Sequence, residues 1–216
     1  DGVVITGPNG LVSTTGGAIA ITGTAAAGDA LNRGIAVETT LPGPVQSTGI
    51  AALDGGTVTL NGTSTGTGTE NSGVVIDGNV TIANGAAVTI TGTGTTGGLD
   101  SDGVGVTGQL GVLAPSTTGS FSLTGTGATA GVKVQGTIET VDGDTTLNGT
   151  GRDRGIQVEG TVETTGTGTL RATGVATMSG GDGINVNFAG AAARATGTGD
   201  AIFDATGSGV GTDFEV

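Results

Sequence analysis

A short phrase recurs along this chain: glycine, an aliphatic residue, any residue, then a second aliphatic residue. It appears as Gly2-Val3-Val4-Ile5, Gly34-Ile35-Ala36-Val37, Gly73-Val74-Val75-Ile76 and Gly103-Val104-Gly105-Val106. It returns as Gly131-Val132-Lys133-Val134, Gly155-Ile156-Gln157-Val158 and Gly183-Ile184-Asn185-Val186. A degenerate copy, Ala201-Ile202-Phe203-Asp204, follows. Self-similarity of this kind is the signature of stacked repeats, which limits the fold more than any single residue does.

Two further phrases follow the first in order. The second is clearest in Gly136-Thr137-Ile138-Glu139-Thr140 and Gly160-Thr161-Val162-Glu163-Thr164, and weaker in Gly78-Asn79-Val80-Thr81-Ile82 and Gly43-Pro44-Val45-Gln46-Ser47. The third alternates aliphatic and polar residues and closes on glycine, as in Val58-Thr59-Leu60-Asn61-Gly62, Val88-Thr89-Ile90-Thr91-Gly92 and Phe121-Ser122-Leu123-Thr124-Gly125. Period-2 alternation marks a strand with one buried face. No segment has a 3.6-residue period long enough for a helix. One three-strand unit cannot bury its apolar face alone, but stacked units can. The reading is an all-β, right-handed, single-stranded parallel β-solenoid without helices, forming one domain over residues 1–216. It has about seven to eight three-strand rungs, starting near residues 2, 34, 73, 103, 131, 155, 183 and 201. A β-sandwich would use similar turns but would not require the same phrases in the same order.

Composition removes most chemistry. The 48 Gly are placed rather than scattered, and 34% of residues are hydrophobic, which favours a folded chain over a disordered one. Gly does not fall at every third position and there are only four Pro, so collagen is excluded. There is no Cys and no His, hence no disulfide framework, no thiolate and no imidazole base or ligand. A net charge of −13, with six Lys and Arg, opposes binding to nucleic acid or to an anionic membrane surface. No apolar run is long enough to insert in a bilayer as a helix, and no segment reads as a signal peptide.

Rung length is expected to vary mainly in the loop after the third strand, long at 63–72 and short at 126–130. Residues 49–55 read as an insert in the second rung. Insertions in solenoids gather on one edge, as a contact surface or as tolerated loops. Asp1-Gly2-Val3 begins inside a rung, and Thr212-Asp213-Phe214-Glu215-Val216 alternates like a strand. Neither reads as a cap. Open strand edges template further pairing. Either the chain is a piece of a longer array, or copies stack end to end.

Runs such as Thr89-Ile90-Thr91-Gly92-Thr93-Gly94 and Gly155-Ile156-Gln157-Val158-Glu159-Gly160-Thr161-Val162 resemble the Gly/Thr-rich repeats of large bacterial surface exoproteins, the filamentous-haemagglutinin-like and autotransporter-passenger β-solenoids. The resemblance covers nearly the whole chain and rests on a degenerate motif. It implies secretion, and service as an adhesin, fibre or matrix component. Pro8-Asn9-Gly10 is similar to part of the Asn-Pro-Asn-Gly turn of the secretion domains in that group, with Gly7 in place of the first Asn.

Three chemistries compete with a purely structural role. Glu139 and Glu163 occupy matching outward positions on neighbouring second strands, at a separation that would suit a retaining glycosidase pair. No aromatic platform accompanies them, and a solvated acidic ladder explains them. Gly180-Gly181-Asp182-Gly183-Ile184-Asn185 approximates the start of a calcium-binding nonapeptide, and Gly97-Gly98-Leu99-Asp100-Ser101-Asp102-Gly103 and Asp142-Gly143-Asp144 are further acidic turns. Asp100, Asp102, Asp182 and Asn185 are therefore the candidate Ca²⁺ ligands, although isolated Asx turns account for them too. Ranks of Thr-x-Thr occur in some ice-binding solenoids, and Thr165-Gly166-Thr167-Gly168-Thr169 has that pattern. Such copies are expected in turns of uneven length, without a flat register.

The reading that remains is a non-enzymatic structural protein, extracellular or at the cell surface, without a required cofactor. It assembles head to tail with itself through Val3, Ile5, Ile202, Phe203, Phe214 and Val216. The alternative is an adhesin segment that binds a surface ligand through its loops. Nothing in the pattern points to a small-molecule ligand.

Overall fold

The computed structural model describes residues 1–7, 10–26, 28, 30–38, 49–95, 97–112, 118–186 and 188–207. Among them there are no helices. The first rung is β1 (Val3–Ile5), β2 (Leu11–Thr15) and β3 (Ala18–Ala25), and the second is β4 (Ile35–Val37), β5 (Gly49–Leu53) and β6 (Thr57–Ser64). The third is β7 (Val74–Ile76), β8 (Asn79–Ile82) and β9 (Ala86–Thr93), and the fourth is β10 (Val104–Val106), β11 (Gln109–Val112) and β12 (Gly119–Gly127). The fifth is β13 (Ala130–Val134), β14 (Thr137–Val141) and β15 (Thr145–Gly151), and the sixth is β16 (Arg154–Val158), β17 (Thr161–Gly166) and β18 (Leu170–Ala176). The seventh is β19 (Asp182–Val186), β20 (Ala192–Gly197) and β21 (Ala201–Thr206). Equivalent strands pair in parallel, one rung on the next, into three seven-stranded sheets. This is a parallel β-solenoid.

The inward residues of each phrase stack into one continuous core. In the first sheet, Val74, Val104, Val132 and Ile156 form one column and Ile76, Val106, Val134 and Val158 another. Phe121, Leu123, Leu110 and Ile138 fill the middle from the other two sheets. β-branched side chains suit such a column because their single χ1 preference leaves little entropy to lose.

Glycine marks the corner where the third sheet meets the first. Gly125 lies inside β12 and faces the core side. A Cβ there would stand on the carbonyl oxygen of Gly131 and 2.6 Å from its carbon. The same meeting repeats with Gly62 against Gly73, Gly92 against Gly103 and Gly149 against Gly155. The glycine that closes the third phrase and the glycine that opens the first are therefore two sides of one backbone contact.

The structure corrects two expectations and narrows a third. Ala201–Thr206 pairs with β18 in the third sheet, so it closes the seventh rung rather than opening an eighth. Gly49–Leu53 is not an insert but the second strand of its rung, paired with both β2 and β8. The competing phrase at 43–47 lies outside the described residues. The Thr-Gly-Thr copies at 65–69 and 167–169 lie between strands as expected, but Thr91-Gly92-Thr93 and Thr124-Gly125-Thr126 lie within β9 and β12 in matched register. In each case local alternation is the same, and the strand lying above or below decides the assignment.

Two buried threonines pair across the interior: Thr140 Oγ1 lies 3.1 Å from Thr145 Oγ1. Thr164, the next residue in the column of Thr140, is fully buried with no partner for its hydroxyl. An unsatisfied buried hydroxyl costs about 1–3 kcal/mol. Thr164→Val removes it with little change in shape and is expected to raise stability by about 1 kcal/mol. For a chain of this size that is a rise in Tm of roughly 2–4 °C. Thr140→Val, which strands the hydroxyl of Thr145, is expected to lower it. Thermal melts of both variants give the sign directly.

Candidate functional site

The residue just before each opening glycine forms a column along one corner, polar except at Ala130. It runs Asp1, Arg33, Ser72, Asp102, Ala130, Arg154 and Asp182. Its side chains bridge rungs. The backbone N–H of Arg33 donates to Asp1 Oδ1 at 3.0 Å, that of Asp102 to Ser72 Oγ at 3.2 Å, and that of Ala130 to Asp102 Oδ1 at 3.1 Å. Asp102 and Asp182 thus occupy equivalent places three rungs apart. Asp100 adopts a left-handed conformation in the turn before β10 (φ 53°). Leu31 and Glu70 adopt the same conformation in the preceding two loops (φ 59° at both), so these loops repeat one another rather than diverging.

The candidate calcium ligands fall in two places three rungs apart, Asp100 and Asp102 before β10 and Asp182 and Asn185 in β19. Asp182 Oδ2 accepts a hydrogen bond from Asn185 Nδ2 at 3.0 Å, and Arg154 Nε lies 4.0 Å from the same oxygen. Asp102 is buried, with Gly105 leaving room beside its Oδ2. Burial pushes its carboxyl up to about 6; Lys133 and the Ala130 N–H pull the other way, while Asp100 and Glu159 reinforce the rise. Asp142 Oδ1 accepts from the Thr167 N–H at 2.9 Å and Asp144 Oδ1 from the Thr169 N–H at 2.8 Å, so both serve the next rung. Among the described residues, no three acidic side chains come together as a metal site.

Glu139 and Glu163 do stand side by side on β14 and β17. The column continues to Arg194 on β20, which the sequence reading did not connect to them. Arg194 Nη2 donates to Glu163 Oε2 at 2.9 Å, and Thr196 Oγ1 donates to Oε1 at 3.1 Å. The Arg194 hydrogen bond, helped by that of Thr196, holds the Glu163 carboxyl below its ordinary value against the opposing effect of burial. The like-charge ladder is therefore relieved from the following rung. Register was the missing signal, since the two residues are one rung apart in space but 31 apart in sequence.

The residues expected at an assembly interface separate to the two ends of the stack. Val3 and Ile5 lie in β1, at one outer edge of the first sheet, and Ile202 and Phe203 lie in β21, at the opposite edge of the third. Val3, Val12, Ile19 and Ile21 at one end, and Ala191, Ala193, Phe203 and Ala205 at the other, are only partly covered while packing on the core. Phe214 and Val216 lie outside the described residues, as does most of the Pro8-Asn9-Gly10 turn.

The outer face of the third sheet carries an array that the sequence reading did not assemble. Thr59, Thr89, Ser122 and Thr146 form one column across β6, β9, β12 and β15. Asn61, Thr91, Thr124 and Asn148 form the next, and Thr63, Thr93, Thr126 and Thr150 the third. The register continues through these strands without a slip. All of these side chains are exposed or half-exposed. Comparison with protein-family models, with curated proteins and with solved structures finds no match to this chain.

Proposed function

We propose that this β-solenoid is a structural element of an extracellular fibre or surface coat, extended by stacking further rungs on its ends. The observation that carries this reading is the pair of half-covered core layers at the first and seventh rungs. Among the described residues no strand pairs with the outer edges of β1, β2 and β3 or of β19, β20 and β21. Unpaired parallel edges above an apolar layer accept another strand readily. A head-to-tail contact that does not close produces a filament. The resemblance to Gly/Thr-rich exoprotein repeats supports the same setting, and a net charge of −13 would keep filaments apart. No catalysis is assigned: Glu163 is already engaged by Arg194.

The junction between copies is the weak point of the stack. Gly174, in the interior, is replaced one rung on by Ala205. A rung added in the interior register would bring its carbonyl onto that methyl. Ala205→Gly is therefore expected to lengthen filaments. Negative-stain electron microscopy of the purified chain at neutral pH tests the proposal. Unbranched fibres one solenoid thick are the expected result. Discrete short particles at high concentration, for both the parent chain and Ala205→Gly, would overturn it. The adhesin reading would then stand first. It is favoured by the long loops gathered at one corner of the first rungs, where Leu31 and Leu99 are about 60% exposed (60% and 62%).

A further inference from the structure

The hydroxyl array on the third sheet repeats like side chains in register over four strands. Parallel in-register stacking repeats each side chain at the inter-strand spacing of about 4.8 Å, and alternate residues along a strand repeat at roughly 6.6–6.8 Å. The outward positions of β9 and β12 are Thr89, Thr91 and Thr93 beside Ser122, Thr124 and Thr126. Threonine is stiff at χ1, so the lattice is held by the backbone rather than by mobile side chains. Each hydroxyl both donates and accepts. Each threonine also presents a methyl group, so the face alternates hydrogen-bonding and apolar points at fixed intervals.

The electrostatics narrow the occupant. The twelve outward positions described on β6, β9, β12 and β15 carry no charge, on a chain with a net charge of −13. The array ends where this changes. Arg171 and Val175 interrupt it on β18, and Ile202 and Asp204 on β21. A neutral, periodic face matches a neutral, periodic partner rather than an ion, a nucleic acid or an acidic protein. It offers no aromatic ring for stacking a sugar. Crystalline water is a partner made only of ordered donors and acceptors.

We propose that the outer face of the third sheet, centred on Thr91 and Thr124, binds the surface of ice. Thr91-Gly92-Thr93 and Thr124-Gly125-Thr126 lie in strands, so the objection from uneven loops does not apply to this face, although the copies at 65–69 and 167–169 do lie between strands.

Ice-affinity partitioning of the full chain tests this, with Thr91→Lys/Thr124→Lys as the face variant and Thr137→Lys, on β14 of another sheet, as the control. Both variants are first checked for an unchanged β-type circular dichroism spectrum. The expected result is that the parent chain and Thr137→Lys are enriched several-fold in the ice fraction over an unrelated acidic protein, while the double variant stays in the liquid. Exclusion of the parent chain from ice would overturn the proposal. So would equal uptake of the double variant. Binding to microcrystalline cellulose without uptake by ice would overturn it in favour of a polysaccharide. A dimer in sedimentation that the double substitution dissolves, again without ice uptake, would overturn it in favour of a second copy.

Discussion

Gly125→Ala is expected to cost about 3 kcal/mol or more and to split the stack near its middle. The new Cβ would lie on the Gly131 carbonyl, 2.6 Å from its carbon, and 3.1 Å from the backbone nitrogen of Val104. All of these atoms are main chain. No rotamer change can relieve the overlap, so the corner must open and the rungs above and below must separate. Each rung of a solenoid touches only its neighbours, so such a defect is not shared across the whole molecule. Gly55→Ala is the control. Gly55 has φ 76°, and a Cβ there would meet nothing within 4 Å. It should cost only the left-handed strain of roughly 1–2 kcal/mol. Urea denaturation of both variants measures the difference. Gly125→Ala within about 1 kcal/mol of the parent chain would show that the corner yields more easily than main-chain packing allows.

Asp102→Asn is expected to stabilise the protein near neutral pH and to do nothing in acid. The carboxyl of Asp102 is raised to about 6 from 3.8, chiefly because it is buried. The folded chain therefore holds a proton that the unfolded chain has already released, and stability falls as pH rises through that window. Above it the full penalty is in place, about 3 kcal/mol for a shift of about two pKa units. Asparagine keeps an oxygen to accept the Ala130 N–H and carries no charge to bury. The gain should approach about 2–3 kcal/mol near pH 8 and close by about pH 4. Urea midpoints of both proteins across that range provide the measurement. A gap that is constant with pH, or that widens in acid, would contradict the burial of this carboxylate as the cause.

The same residues show how far the sequence can be read. Gly103-Val104-Gly105-Val106 announces a strand start because glycine and alternating aliphatics act locally, through backbone space and side-chain facing. Burial of Asp102 is not announced. It follows from Ser72 below and Ala130 above, which come together only when rungs about 30 residues apart are stacked. Glu163 reads as half of a repulsive pair until β20 supplies Arg194. The hydroxyl lattice was visible as Thr-Gly-Thr, but whether those residues were strand or turn depended on their partners in the adjoining rungs.

The sequence alone therefore determined the class of the fold, the first six rung-to-rung intervals and the identity of the core, since period-2 alternation between glycines has few other ways to bury its apolar half. The tertiary structure decided which phrase is which strand, where the seventh rung closes, and which polar residues share a face. All three phrases carry the same local pattern, and rung length varies, so register is set by pairing energy between rungs and not by any signal within one.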